Sequence, residues 1–194
     1  MATLRRLCVY CASSSRVDTR YRDAATTLGR LAAEAEVEIV YGGGRVGLMG
    51  LLADAALAAG GRVTGIIPSH LYEREVGHGG LSELIVVASM HERKQRMFEL
   101  ADAFVTLPGG LGTLDETIEI MTWRQLGLHD KPLVIVDIAG YWAPFTALVD
   151  HAIAAGFTTP ATRQYFHVAT CVEDVLPVIA ALPPSRHAGD SALV

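Results

Sequence analysis

The chain has 194 residues, of which 51% are hydrophobic and 19% are charged, and its formal net charge is −5. This length fits one globular domain with a sizeable core, and the composition excludes a disordered chain. The acidic balance argues against a nucleic-acid partner, because binding a phosphate backbone needs a basic surface. We also expect no membrane partner, since no apolar run reaches the roughly 18 residues of a spanning helix.

The N-terminal segment is not predicted to be a secretion signal, although two arginines precede its apolar run. That run, residues 7–12, is shorter than the apolar region of a signal peptide. The three cysteines are too few for a disulfide framework, and we expect a cytoplasmic protein. Cys8 and Cys11 form a C-x-x-C pattern on a predicted strand, where residues three apart face opposite sides. We therefore expect two buried cysteines and no metal site.

The chain alternates between predicted strands and predicted helices. In chain order we predict strand 6–11, helix 19–35, strand 38–41, helix 48–59, strand 62–67, an irregular segment 69–81, strand 84–88, helix 90–101, strand 103–107, helix 113–126, strand 133–137, helix 142–155, strand 166–169 and a helix near 172–182. The strands are largely unbroken apolar runs, which indicates a parallel sheet covered by helices on both faces. The predicted fold class is a doubly wound, mainly parallel α/β domain over residues 1–182, followed by a flexible tail, 183–194.

The first glycine-rich loop follows the second predicted strand and opens a helix. Gly42, Gly44 and Gly47 match G-x-G-x-x-G, whose glycines let the backbone approach a phosphate at a helix N-terminus. A dinucleotide site would have this motif after the first strand and an acidic residue at the end of the next one, and both features are missing. We favour a phosphate cradle in which Gly43 and Gly44 contact the ligand. A tight turn without a ligand stays open.

The second glycine-rich loop spans residues 107–116, with the sequence L-P-G-G-L-G-T-L-D-E. It also lies between an apolar strand and a helix, so it predicts a second helix start that can bind an anion. Ligands of such sheets bind beyond the carboxyl ends of the strands, where the strand order reverses. Neither loop contains the lysine of a nucleoside-triphosphate P-loop, and a nucleoside triphosphatase is therefore not favoured.

Glu116, in the second loop, has two interpretations. It forms a capping box with Thr113, in which its carboxylate serves only the start of the helix. Alternatively, at about 100° per residue, it lies on the same arc as Ile120 and Trp123. A carboxylate beside that apolar arc is partly desolvated, which raises its pKa.

The predicted helix 90–101 places two cations on its apolar side. Arg93 and Lys94 fall within the apolar arc, whereas Glu92, Arg96 and Glu99 lie on the opposite arc. A cation in that position needs an anionic ligand or a carboxylate partner, or must extend past the edge of the core. We favour an anionic partner. Arg93 offers a planar fork for a phosphate or carboxylate, and Lys94 offers a point charge.

Two motifs together resemble those of the LONELY GUY family. They are M-H-E-R-K at residues 90–94 and P-G-G-L-G-T-L-D-E at 108–116, and the resemblance continues through residues 123–132. Its members are cytokinin riboside 5′-monophosphate phosphoribohydrolases, long mislabelled as lysine decarboxylases. The resemblance implies a Rossmann-like homodimer that hydrolyses the N-glycosidic bond of N6-modified adenosine 5′-monophosphate. The products would be a free base and ribose 5-phosphate, and no cofactor is implied.

The resemblance also assigns roles to residues of this chain. The implied catalytic pair is Arg93 and Glu116. The implied substrate-binding residues are Glu75, Lys94, Gly110, Leu111, Gly112, Thr113 and Thr122. Three other functions stay open at this point: a nucleotide carrier of the same fold without hydrolysis, a pyridoxal-phosphate decarboxylase, and a nicotinamide-dependent enzyme.

Overall fold

The structure, a computed structural model, describes residues 4–72 and 78–183. Its strands are β1 (Arg6–Tyr10), β2 (Glu38–Tyr41), β3 (Val63–Pro68), β4 (Glu83–Val87), β5 (Ala103–Thr106), β6 (Leu133–Val136) and β7 (His167–Ala169). Its α-helices are α1 (Thr19–Glu34), α2 (Leu48–Ala58), α3 (Ser69–Tyr72), α4 (Met90–Leu100), α5 (Leu111–Gln125), α6 (Ala143–Ala154) and α7 (Val175–Ala181). Glu75 and residues 184–194 of the expected tail lie outside the described residues.

The described strands form one parallel sheet in the order β4-β3-β2-β1-β5-β6-β7. The chain builds outward from β1 to β4 and then returns to the other side of β1 with β5. The order therefore reverses between β1 and β5, where ligands bind in sheets of this kind. The predicted fold class, a doubly wound parallel α/β domain, is confirmed.

The core lies on both faces of the sheet because successive strand residues point to opposite sides. In β1, Leu7 and Val9 join the apolar cluster under α1, α2 and α7, whereas Cys8 and Tyr10 join the cluster under α4, α5 and α6. Cys11 belongs to the first cluster and Cys8 to the second. Both are buried free thiols, as the alternation predicts. No helix of the described residues is both long enough and apolar enough to span a bilayer.

Most boundaries lie within one or two residues of those predicted, but the start of α5 corrects an interpretation of Glu116. The helix begins at Leu111 with Gly110 as its N-cap, and no side chain caps it. Thr113 is therefore inside the helix, and the capping box of Thr113 and Glu116 is wrong. A side-chain cap occurs instead at α4, where Ser89 Oγ accepts a hydrogen bond from the Glu92 N–H at 3.2 Å.

Candidate active site

A cavity of about 260 Å³ opens at the carboxyl ends of β1 and β5, where the strand order reverses. Its walls include Ser13 and Ser14 after β1, the first turn of α5, and Arg93 and Met97 of α4. Of the residues predicted for the site, the lining contains Arg93, Gly110, Leu111, Gly112, Thr113 and Glu116. The two predicted catalytic residues and the second glycine-rich loop therefore meet in one place.

Arg93 is buried and oriented by main-chain carbonyls at the ends of two strands. Its Nε donates to the Ile66 carbonyl at 3.2 Å, and Nη2 donates to the Gly42 carbonyl at 3.3 Å. These bonds leave Nη1 facing Glu116, whose Oε1 lies 3.7 Å away. A planar guanidinium has enough donors to face the two carbonyls and Glu116 at once. An ammonium group could not point its donors in these directions.

Glu116 is also buried, and its pKa is raised to about 7. Burial is the largest cause, because it penalises the charged form, and the nearby Asp115 and Glu119 raise the pKa further. Arg93 and Lys94 lower it, but not enough to offset burial. The carboxyl group therefore changes its protonation state near neutral pH. The position of Glu116 on the apolar arc predicts such an upward shift of its pKa.

The first turn of α5 presents main-chain donors to the cavity. The Leu114 N–H makes the first bond within the helix, to the Gly110 carbonyl at 3.0 Å. The N–H groups of Leu111, Gly112 and Thr113 precede it and so have no acceptor within the helix. With the positive end of the helix dipole, these donors make an anion site. Gly109 allows the tight approach, since a Cβ there would collide with Thr113.

The first glycine-rich loop reaches the cavity through Gly42 and not through Gly43 and Gly44, which were predicted to contact the ligand. The N-terminus of α2 is occupied, because the N–H groups of Leu48 and Met49 both donate to the Ala12 carbonyl, at 2.9 and 3.3 Å. Gly43 and Gly44 are not among the residues that line the cavity. Gly42 does line it, and a Cβ at this position would collide with Nη2 of Arg93. This glycine makes room for the arginine.

Lys94 pairs with carboxylates of α5 outside the cavity. Its Nζ lies 2.9 Å from Glu119 and 3.1 Å from Asp115, so the favoured anionic partner is found within the protein. Asp115, one of these partners, lies beside Glu116 in the helix. Thr122 is exposed on α5, and its hydroxyl donates to the Ile118 carbonyl at 2.8 Å. Neither Lys94 nor Thr122 lines the cavity.

Several residues that line the cavity were missed from the sequence. Ser13 and Ser14 follow β1 directly, and their place at the reversal of strand order was a usable signal. Met49 and Met97 line it from two different helices, and no sequence pattern links them. Cys11 also lines the cavity, but burial raises the pKa of its thiol well above the ordinary range. It stays protonated and is not a nucleophile.

The comparisons with known proteins agree with these motifs. A family model described as "Possible lysine decarboxylase" matches residues 49–179. The cytokinin riboside 5′-monophosphate phosphoribohydrolase of Rhodococcoides fascians is 46% identical over 93% of this chain and 90% of its own length. The rice (Oryza sativa subsp. japonica) protein named cytokinin riboside 5′-monophosphate phosphoribohydrolase LOG is 40% identical over 95% of this chain and 76% of its own. The chain belongs to the LONELY GUY family.

Solved structures share the fold of this LONELY GUY protein. The molybdenum cofactor binding protein of Rippkaea orientalis has a TM-score of 0.70 at 19% identity, over 93% of this chain and 98% of that one. The protein TM1055 has a TM-score of 0.69 at 26% identity, over 92% of this chain and all of that one. At 19% identity the first likeness concerns the architecture alone.

The description of the family model as a decarboxylase does not fit the two lysines of this LONELY GUY chain. Amino-acid decarboxylation normally uses pyridoxal phosphate bound to a lysine in a cavity. Lys94 is held by two carboxylates of α5. Lys131 is buried, with Nζ donating to the Phe98 carbonyl at 2.8 Å and lying 4.2 Å from the centre of the Phe98 ring. Neither lines the cavity, so neither is placed to hold that group.

Proposed function

We propose that this chain hydrolyses the N-glycosidic bond of adenosine 5′-monophosphates with a modified N6, and releases the free base and ribose 5-phosphate. The observation that carries the proposal is the meeting, in one cavity, of an anion-binding helix start and the buried pair of Arg93 and Glu116. The 46% identity to the Rhodococcoides fascians protein of that name supports the substrate class.

The 5′-phosphate would bind at the first turn of α5. The N–H groups of Leu111, Gly112 and Thr113 point at the anion, and Thr113 lines the cavity beside them. Gly110, the N-cap, gives no side chain that would compete for these donors. Glu116 lies about one helical turn further on, roughly 5.4 Å along the axis. A ribose bound by its phosphate can therefore reach the carboxyl group of Glu116.

Glu116 would act on the sugar when the bond to the base breaks. The base departs with the electron pair of the bond between C1′ and N9 and takes up a proton, while the oxygen of a water molecule bonds to C1′. The ribose gains oxocarbenium character on the way, and an adjacent carboxylate stabilises that charge. The same carboxylate can accept a proton from the attacking water. With a pKa of about 7, a substantial fraction of Glu116 is ionised at neutral pH.

Arg93 would fix the position of Glu116 and of a ligand oxygen. Its guanidinium is held by the Ile66 and Gly42 carbonyls, so the direction of Nη1 is set before substrate binds. The distance of 3.7 Å from Nη1 to Glu116 is too long for a hydrogen bond. One N–H of Nη1 points to Met90 Sδ at 3.8 Å, and the other is left for the ligand.

We further propose that the protein is a homodimer in the cytoplasm. Leu111, Ile118 and Leu126 are 85%, 47% and 67% exposed, and all project from one side of α5. Such exposed apolar side chains are suited to a symmetric contact between two copies. Because Leu111 also lines the cavity, a second copy on this face would border the cavity mouth. Thr122 shares the face. The cytoplasmic location rests on three free cysteines.

The remaining assignments of the resemblance are proposed as contacts to the nucleotide in that assembly. They are Glu75, Lys94 and Thr122. We propose Gly43 and Gly44 as further contacts on the separate ground of their G-x-G-x-x-G pattern. Lys94 would contribute mainly through its position beside Asp115 and Glu119, since both carboxylates already neutralise its charge.

Product analysis tests the proposed function. The purified protein is incubated with AMP, N6-isopentenyl-AMP and pyrimidine monophosphates, and released bases are separated by chromatography. We expect free base from the N6-modified nucleotide and none from Glu116→Gln, while Glu99→Gln, whose residue pairs with Arg96 outside the cavity, keeps its activity. Tight binding of the nucleotides without release of any base would support the carrier function and overturn the enzyme.

A further inference from the structure

Tyr141, outside the cavity, contacts the glycine-rich loop that forms the anion site. Its hydroxyl donates a hydrogen bond to the Gly109 carbonyl at 2.6 Å. Gly109 is buried, and a buried carbonyl without a partner is destabilising. Tyr141 belongs to the loop after β6, and the glycine loop follows β5, its neighbour in the sheet.

The geometry of the peptide bond links this contact to the anion site. In a trans peptide, the C=O of Gly109 and the N–H of Gly110 point in opposite directions. A carbonyl fixed by Tyr141 therefore fixes the direction of the Gly110 N–H and the entry of the chain into α5. Glycine has the freest backbone, and packing adds no restraint at Gly110, where a Cβ would meet nothing within 4 Å.

The loop that carries Tyr141 is itself held in an uncommon conformation. Ala139 has φ 53° and ψ 35°, in the left-handed region that residues other than glycine rarely adopt, and Gly140 follows with φ 77°. The Asp137 carboxylate closes the loop by accepting a hydrogen bond from the Trp142 N–H at 2.6 Å. Strain of this kind persists where the surrounding contacts hold a side chain in a required place.

We propose that Tyr141 is a positioning residue for phosphate binding: its hydroxyl orients the Gly109–Gly110 peptide so that the first turn of α5 receives the 5′-phosphate. The inference rests on the proposed function. Tyr141 does not line the cavity, so it acts through the main chain of the loop and not on the ligand.

The test compares Tyr141→Phe with Tyr21→Phe. The ring of Tyr21 packs edge-on against Tyr141, with 5.5 Å between centroids, so the control removes a hydroxyl from the same aromatic pair and leaves the bond to Gly109 intact. Binding of ribose 5-phosphate and of inorganic phosphate is measured by calorimetry, and KM and kcat are measured with N6-isopentenyl-AMP. Thermal unfolding checks that both variants are folded.

For Tyr141→Phe we expect Kd for ribose 5-phosphate, and KM, to rise about three- to tenfold, as for the loss of one hydrogen bond. We expect kcat to change less than about twofold, because binding of substrate and transition state weakens equally. An unchanged Kd, or a fall in kcat with KM unaltered, would overturn the proposal. If the parent protein releases no base, the proposed function fails, whereas the binding of ribose 5-phosphate by the two variants still decides the role of Tyr141.

Discussion

Nη1 of Arg93 lies 3.7 Å from Oε1 of Glu116, and the two side chains are only 9% and 10% exposed. The pair is close enough for electrostatic attraction but too far apart for a hydrogen bond. Attraction by Arg93 lowers the pKa of Glu116, yet burial prevails and the value is raised to about 7. The site therefore keeps a carboxyl group that loses its proton near neutral pH. Holding this buried group in its charged form lowers the stability of the folded protein.

Glu116→Gln is expected to stabilise the protein at alkaline pH. The carboxyl pKa is about 7 in the folded chain against an ordinary value of 4.5, so between these values the folded state keeps a proton that the unfolded state has lost. Stability of the parent thus falls as pH rises through this window, and the neutral amide avoids the loss. The advantage in free energy of unfolding is expected to be small near about pH 5 and to reach roughly 3 kcal/mol above about pH 8.

Urea unfolding of both proteins at several pH values measures this difference. Glu99→Gln serves as the control, since Glu99 is half-buried outside the cavity and pairs with the exposed Arg96 at 2.9 Å. A gap between Glu116→Gln and the parent that stayed constant from acid to alkaline pH would contradict the raised pKa.

Arg93→Lys is expected to lower kcat about 100-fold or more, the size of effect seen when a preorganised donor is lost. An ammonium group keeps the charge, but it cannot bond the Ile66 and Gly42 carbonyls and face Glu116 with the geometry of the guanidinium. Steady-state kinetics measure the loss. Arg96→Lys, on the same helix and paired with Glu99 at the surface, should behave as the parent. Turnover of Arg93→Lys near the parental rate would remove Arg93 from the chemistry.

Gly42→Ala is expected to reduce activity about tenfold or more through Arg93, because small misplacements of catalytic groups are costly. The new methyl group would collide with Nη2 of Arg93 and displace the guanidinium. Gly79→Ala is the matched control, since a Cβ there meets nothing within 4 Å. Equal base release by the two variants would show that Arg93 tolerates displacement.

Ile118→Asp is expected to convert the proposed homodimer into monomers. Two-fold symmetry would place two new carboxylates in one apolar contact, and we expect dissociation to become easier by about 100-fold or more. Light scattering after size exclusion measures the mass of the particle. Val86→Asp, at an exposed position of the edge strand β4, is the control. A monomeric parent would refute the dimer itself.

Local patterns were sufficient to predict the sheet and to mark Arg93 and Glu116 as unusual, whereas their role as a catalytic pair came from the resemblance to the family. Unbroken apolar strands indicated a parallel sheet, and a cation within the apolar arc of a helix identified Arg93 as unusual. The same geometry placed Glu116 beside Ile120 on the apolar arc, but it did not decide between that interpretation and the capping box. These predictions depend only on residues a few positions apart.

Contacts between distant residues were not predictable. The need for glycine at position 42 comes from Arg93, 51 residues away. The carboxylate partners of Lys94, Asp115 and Glu119, lie 21 and 25 residues away. The start of α5 at Leu111 was missed because its N-cap, Gly110, has no side chain to give a capping signal. The motif alone also could not reveal that the start of α2 is occupied by Ala12.

The hydrogen bonds from the start of α2 to the Ala12 carbonyl leave the crevice with unpaired main-chain donors at only one of its two helix starts. Beside β5 the crevice offers main-chain donors to a ligand. Beside β2 the corresponding N–H groups of Leu48 and Met49 already donate to the Ala12 carbonyl. A molecule with one terminal anionic group is guided into a single orientation. A ligand with a second anionic group that reached the start of α2 would meet the Ala12 carbonyl oxygen there. The single terminal anion of the proposed nucleoside monophosphate substrate suits this arrangement.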